Sequence, residues 1–216
     1  MIDRKIFFDM VRKDPMPGKL AQSQVDGMNF ILDCWEASYN EEDLRWLAYA
    51  FATTMWETSS TFMPIEEYGK GSGQSYGKKD PETGQTYYGR GYVQLTWKDN
   101  YARADEELDF HDDDSCEWHA KNALDPNKAA AIMFVGMIEG WFRSDSEGRH
   151  SLPRWFNSTV DDPFMAREII NGDKNKQPSW ASGAKVGDLI AGYHRAFLVA
   201  LEMAFTAGGA NGPQTS

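Results

Sequence analysis

The stretch Leu44–Glu57, LRWLAYAFATTMWE, running into 58–68, TSSTFMPIEEY, decides how the chain is read. In its first part Leu44, Leu47, Ala48, Phe51, Ala52 and Met55 recur at three- and four-residue steps, the period of a helix with a buried face. Asn40 is placed to cap that helix, and Glu41, Glu42 and Asp43 put negative charge in its first turn, where the dipole favours it. The helix ends near Glu57, and Pro64 stops any continuation, so the chain turns there with Glu66 and Glu67 close behind. Glu57 therefore sits at an apolar helix end between Trp56 and Phe62. Low polarity and unpaired carbonyls at such an end disfavour a carboxylate and raise its pKa, which suits a general acid. Taken on pattern alone, a solvated helix-end acid is the commoner fate of such a residue, since most acidic side chains lie at the surface.

Outward from this stretch the texture is mostly helical. Leu20, Val25, Met28, Ile31, Leu32 and Trp35 predict one amphipathic helix between Pro17 and Asn40. From Ser59 to Tyr101 glycine, tyrosine, threonine and lysine replace the helical period, which predicts loop and short strand. Within it 86–97, TYYGRGYVQLTW, reads as a hairpin or extended segment. Asn100 opens a short helix, NYARADEEL, leading into the acidic loop FHDDDSCEWH. After Pro126, AAAIMFVGMIEGWF is apolar almost all round and predicts the central buried helix, followed by an Arg/Trp-bearing turn. DPFMAREIINGD reads as a helix opened by Asp162-Pro163 and closed by Asn171-Gly172, and VGDLIAGYHRAFLVALEMAF as the last helix. No repeat or hinge-like linker interrupts the chain, so residues 1–205 are expected to form one catalytic domain, with 206–216 a flexible tail.

Composition narrows the functional classes. With 216 residues, 41% hydrophobic, the chain can bury a sizeable core without a disulfide framework, so Cys34 and Cys116 read as two free thiols. A formal charge of −11, with Lys and Arg scattered among acids, argues against nucleic acid and stable membrane association. No run approaches the roughly 20 apolar residues that span a bilayer, and the N-terminal residues are charged where a signal peptide is apolar. A soluble chain made in the cytoplasm is expected. His111, Asp112, Asp113, Asp114, Cys116 and His119 lack metal-ligand spacing and read as a solvated acidic loop. The glycines near Tyr68 lie outside any strand-to-helix turn and read as a flexible lid rather than a phosphate loop. Of Trp97, Trp118, Trp141, Trp155 and Trp180, most are assigned to the core and the rest to sugar stacking.

WETSSTFMPIEEYGKGSGQSYG, then YYGRGYVQLTWKDNYARA, then REIINGD, resembles in order the family 19 chitinases and the phage endolysins related to them. The resemblance covers roughly residues 40–172. It implies a mainly α, lysozyme-like, two-lobed helical domain with an irregular loop and short-strand insertion lining a cleft. It implies Glu57 as general acid, Glu67 as the second carboxylate with Glu66 in reserve, and Thr96 as the hydroxyl that helps hold the attacking water. It also implies sugar contacts from Tyr88, Gln94 and Asn171, with Trp97 and Tyr101 in the same substrate-binding set, and Arg90 and Arg167 as organisers of the carboxylates. The sequence departs from the family pattern at Trp56, where a His is usual, and at Ser59 and Ser60, where small glycines are usual.

The implied reaction is hydrolysis of β-1,4 linkages in N-acetylated glycans by single displacement with inversion, needing no metal or cofactor. Inverting enzymes hold their two carboxyls roughly 6.5 to 9.5 Å apart to admit water, and a separation in or above that range is expected here. Bacterial peptidoglycan and chitin share this chemistry. The compact chain, without a Cys-rich binding module, leans toward peptidoglycan, while its acidity weakens that lean. The polymer is the expected partner, a monomer the expected state, and the cell wall or the extracellular space the expected place of action. A non-catalytic carbohydrate-binding protein on the same scaffold is the competing class; retention of Glu57, Glu67 and Thr96 together argues against it.

Overall fold

A computed structural model describes residues 1–210. Seven helices carry the fold: α1 (Arg4–Val11), α2 (Gln22–Ser38), α3 (Leu44–Glu57), α4 (Lys98–Leu108), α5 (Pro126–Glu139), α6 (Leu152–Trp155) and α7 (Val186–Ala210). Two small antiparallel pairs complete it, β1 (Ile65–Glu66) with β2 (Arg90–Gly91), and β3 (Ser144–Asp145) with β4 (Gly148–Arg149). The fold is mainly α with an irregular segment between α3 and α4. None of these helices is long and apolar enough to cross a membrane.

The centre is α3. Leu47 to Met55 is an unbroken buried run, packed chiefly on α7. This corrects the reading of α5 as the central helix: Val135 and Ile138 of α5 are only partly buried, so its apolar circumference faces the core on one side only. Phe51 of α3 meets Phe197 of α7 at 5.2 Å, Phe7 of α1 at 5.4 Å and Phe62 at 6.3 Å between ring centroids. All four rings are fully buried. Tertiary burial of this kind, more than helix propensity, stabilises helices of such length.

Several boundaries move for local physical reasons. Asp43 caps α3, accepting from the Arg45 N–H at 2.9 Å. Asn40 instead donates its side-chain amide to the Glu36 carbonyl at 3.1 Å and so closes α2. α4 opens at Lys98, two residues before Asn100. α1, absent from the sequence reading, is short and charged, yet Asp3 caps it and Phe7, Phe8 and Val11 bury its inner face against α7. DPFMAREIINGD forms only a 3₁₀ turn over Met165–Ile169, although Asp162 does cap it through the Met165 N–H at 2.9 Å. Arg167 and Glu168 are buried there and bind charged partners on other segments, which an ideal helix would point elsewhere. α7 continues through residues 206–210, so this part of the expected tail is helical; 211–216 lie outside the described residues. Cys34 and Cys116 are both free thiols.

The turn after α3 is held tightly. Thr58 donates its hydroxyl to the Thr54 carbonyl at 2.7 Å and accepts the Phe62 N–H at 3.1 Å, and Gln24 of α2 donates to the Ser60 carbonyl at 2.8 Å. Gly27 lets α2 press against this turn, because a β-carbon there would lie 2.1 Å from the Phe62 carbonyl oxygen. Gly27→Ala is expected to lower stability by roughly 2–3 kcal/mol through overpacking. Gly192→Ala, whose β-carbon meets nothing within 4 Å, is expected to leave stability equal or slightly higher. Thermal denaturation of both variants checks this, and equal melting temperatures would contradict it.

Candidate active site

Glu57 is the last residue of α3, and its side chain is 14% exposed. Its Oε1 lies 2.5 Å from Nη1 of Arg167, a side chain only 2% exposed. Arg167 also donates from Nε and Nη2 to the two carboxylate oxygens of Asp173, at 2.7 and 3.3 Å. Burial is the largest influence on Glu57 and pushes its pKa above the ordinary carboxylate value; the Arg167 charge and hydrogen bond oppose it, and Asp173 adds to the rise. Arg167 stays cationic: burial disfavours its charge, but Glu57 and Asp173 together outweigh that. The result is a carboxyl whose proton is lost at higher pH than that of a free glutamate, beside a guanidinium that a second acid already pairs.

Beyond the turn, β1 pairs with β2 in the register Ile65 to Gly91 and Glu66 to Arg90. Leu95 returns to bridge Arg90, closing 90–95 into a tight loop. Successive residues of an extended chain point to opposite faces, so Glu66 and Glu67 go to different surroundings. Glu66 accepts from the Tyr88 hydroxyl at 2.6 Å and pairs with Lys70 Nζ at 2.9 Å and Arg90 Nε at 3.8 Å. The Tyr88 hydrogen bond first, then Lys70, hold its carboxyl below the usual range. Glu67 accepts from the Gly89 N–H at 3.2 Å and the Tyr76 hydroxyl at 3.4 Å.

A cavity of about 320 Å³ opens beside Glu57, lined also by Tyr76, Gln94, Thr96, Trp97, Asn100, Phe142, Arg143 and Asn171. Thr96 donates its hydroxyl to the Gln94 carbonyl at 2.8 Å, which leaves its oxygen lone pairs to accept. Gln94 is fixed by its amide on the Ile65 carbonyl at 3.1 Å. Trp97 is 51% exposed and meets the Tyr76 ring edge-on, at 4.9 Å. Trp118 and Trp180 are the other large exposed tryptophans, whereas Trp141 is buried.

Of the sequence-derived set, Glu57, Gln94, Thr96, Trp97 and Asn171 line this cavity, whereas Glu66, Glu67, Tyr88, Arg90, Tyr101 and Arg167 do not. Tyr101 is fully buried, accepting from Arg90 at 2.9 Å and donating to the Tyr88 carbonyl at 2.8 Å, so it is a core brace rather than a sugar contact. Arg90 is buried with its guanidinium 3.7 Å from the Tyr88 ring centroid, and both border a separate depression with Lys79 and Asn122. Arg90 thus contacts Glu66, not Glu67. Four residues that the sequence reading did not single out enter the site: Asp173, Tyr76, Asn100 and Arg143. Asp173, Tyr76 and Asn100 fall within the motif stretches REIINGD, WETSSTFMPIEEYGKGSGQSYG and YYGRGYVQLTWKDNYARA, the one signal that pointed to them; Arg143 had none. The acidic loop carries a His111–Asp109 pair on the surface, and Asp105 is taken by Ser115 and by the N–H groups of Cys116 and Glu117.

No family model and no curated protein sequence matches the chain. Solved structures do. Chitinase C from Streptomyces griseus HUT6037 superposes with a TM-score of 0.57 at 20% identity, covering 93% of this chain and 92% of that one. A mutant of chitinase C gives 0.54 at 18%, again covering 93% and 92%. A family 19, class IV chitinase from Zea mays gives 0.49 at 18%, covering 91% and 90%. The fold is that of the family 19 chitinases. On this chitinase-type scaffold Ser59 and Ser60, the two departures after Glu57, adopt φ of 51° and 63°, the left-handed region that glycine enters without cost.

The native state keeps the Glu57 proton to higher pH than the unfolded chain, whose reference value is 4.5. Ionising it as pH rises above that value therefore costs stability, because the folded state binds more protons there. Glu57→Gln is expected to gain melting temperature relative to wild type as pH is raised from about 4 to about 8. A difference that stays flat, or shrinks, across that range would contradict the raised pKa.

Proposed function

We propose that this chain is a glycoside hydrolase that cleaves β-1,4 linkages of N-acetylated glycans with inversion of the anomeric centre. The carrying observation is Glu57, little exposed and with its pKa raised by burial, opening onto a cavity that Tyr76 also lines, with the Tyr76 hydroxyl reaching Glu67 at 3.4 Å. Glu57 gives its proton to the glycosidic oxygen as the bond to the anomeric carbon breaks. Glu67 takes a proton from a water on the other face of the sugar, and a Thr96 lone pair accepts that water's second hydrogen. The developing positive charge on the ring lies between two carboxyl groups, the arrangement that inverting glycosidases use. After transfer the Glu57 carboxylate rests against Arg167, which limits the cost of leaving it charged.

Glu67 is favoured over Glu66 as the base. Glu66 is committed to Tyr88, Lys70 and Arg90, which depress its basicity and hold it on the far face of the strand. Trp97, Asn100 and Asn171 supply an aromatic face and amides suited to a sugar ring and its N-acetyl group. The polymer is peptidoglycan or chitin, met at the cell wall or outside the cell, and the chain acts as a monomer.

Glu57→Gln and Glu67→Gln are each expected to lower kcat by roughly 10²- to 10⁴-fold, with smaller losses for Glu66→Gln. Turbidity loss of permeabilised bacteria and clearing of colloidal chitin supply the rates, and NMR of fresh product supplies the anomer. Clearing that survives Glu57→Gln unchanged, or a retained anomer, would overturn the mechanism. The alkaline limb of the rate profile is expected to fall as pH rises through the elevated Glu57 pKa, because the general acid must enter protonated.

A further inference from the structure

The glycosidase reading leaves one charged group of the cavity without a task. Arg143 follows α5, lines the same cavity as Glu57 and Asn171, and has a side chain 39% exposed. Its Nη2 lies 3.0 Å from Oε2 of Glu168, an acid only 10% exposed. The other oxygen of Glu168 is taken by Lys174. One carboxylate therefore serves two cations, and the group carries a net positive charge at the cavity wall. Arg167 cannot play this part, since Glu57 and Asp173 occupy it on both sides.

The geometry of Arg143 is that of a prepared fork. Gly172 lies directly beneath it: a β-carbon on Gly172 would come within 2.7 and 2.9 Å of the two Nη atoms. The guanidinium thus rests flat on bare backbone, with Glu168 fixing one edge. Among the described residues its Nε and Nη1 have no hydrogen-bond acceptor. A neutral sugar needs no such group, because hydroxyls and N-acetyl amides are matched by Gln94, Asn100 and Asn171 nearby. A planar guanidinium with unused donors matches a carboxylate, which it binds through two parallel hydrogen bonds. The chain as a whole carries −11, so a surplus cation inside the cleft runs against the general charge.

Resting on the glycosidase reading above, we infer that Arg143 is a specificity residue that binds a carboxylate carried on the glycan. The substrate it selects is a β-1,4-linked N-acetylated polymer with acidic substituents, of the kind a lactyl ether or its attached peptide provides, over neutral chitin. Glu168, Lys174 and Gly172 position the fork rather than touch the sugar.

The test compares wild type, Arg143→Gln and Arg143→Lys on four substrates. These are peptide-stripped glycan strands with free lactyl carboxylates, strands with the peptide intact, strands whose carboxylates are capped as methylamides, and neutral chitin oligomers. Wild type is expected to prefer carboxylated over capped strands. Arg143→Gln is expected to reduce that preference roughly tenfold, the scale of a lost charge-assisted hydrogen bond, through KM more than kcat, with Arg143→Lys in between. The first two substrates tell whether the lactyl or the peptide carboxylate is read. A preference that is absent in wild type, or unchanged in Arg143→Gln, overturns the inference. Calorimetric binding by Glu57→Gln and by the Glu57→Gln/Arg143→Gln double variant reads the same preference without bond cleavage. If wild type cuts none of the polymers, the hydrolase reading fails on its own, and the binding preference still decides the role of Arg143.

Discussion

A guanidinium held at 2% exposure between two carboxylates is an expensive object, because removing such an ion from water costs several kcal/mol before any partner is counted. Arg167 is tolerable only because Asp173 engages it through two nitrogens and Glu57 through a third. That requirement ties the end of α3 to a segment 110 residues later in the chain. It also leaves Glu57 a choice of protonation state: with Asp173 neutralising the arginine, Glu57 does not have to be ionised to balance it. Burial then tips Glu57 toward the protonated form.

The second arginine–acid cluster shows the opposite result from similar parts. Arg90 is as deeply placed as Arg167, but its acid, Glu66, is 26% exposed and has two further donors in Tyr88 and Lys70. Its carboxyl is held low, not high. Exposure and the number of donors, not the presence of an arginine, separate the two. The Glu66 cluster locks the 90–95 loop, which carries Gln94 and delivers Thr96 and Trp97 to the cavity wall. One cluster thus raises a carboxyl pKa and the other fixes a loop.

Most of the helical frame was legible in the sequence because α2, α3 and α7 repeat apolar residues at helical spacing over three turns or more. α1 escaped because eight residues with three charges offer too short a period, and its stability comes from docking on α7. The 3₁₀ turn at Met165–Ile169 was misread for a related reason: the pattern contains good stop signals but cannot say that Arg167 and Glu168 will be spent on distant partners. At the site, the sequence placed Glu57 at an apolar helix end, and the structure puts it there with a side chain 14% exposed, although the pattern alone favoured a solvated acid. Tyr101 was not legible, since an aromatic next to a motif looks the same in sequence whether it faces a cleft or the core. Arg143 gave no signal at all, because its meaning depends on Gly172 and Glu168 folding under it.

The turn that follows Glu57 holds three non-glycine residues, Ser59, Ser60 and Phe62, in the left-handed region. Each such conformation raises the local energy by ~1 kcal/mol relative to glycine, and the Thr58 and Gln24 hydrogen bonds, the close approach of α2 and the buried Phe62 ring together keep the segment so coiled. The tension is stored next to the Glu57 carboxyl, not spread through the bundle. The same hydrogen bonds from Thr58 and Gln24 that hold the corner therefore also fix where the Glu57 backbone ends, so its carboxyl is aimed by a strained but fastened hinge.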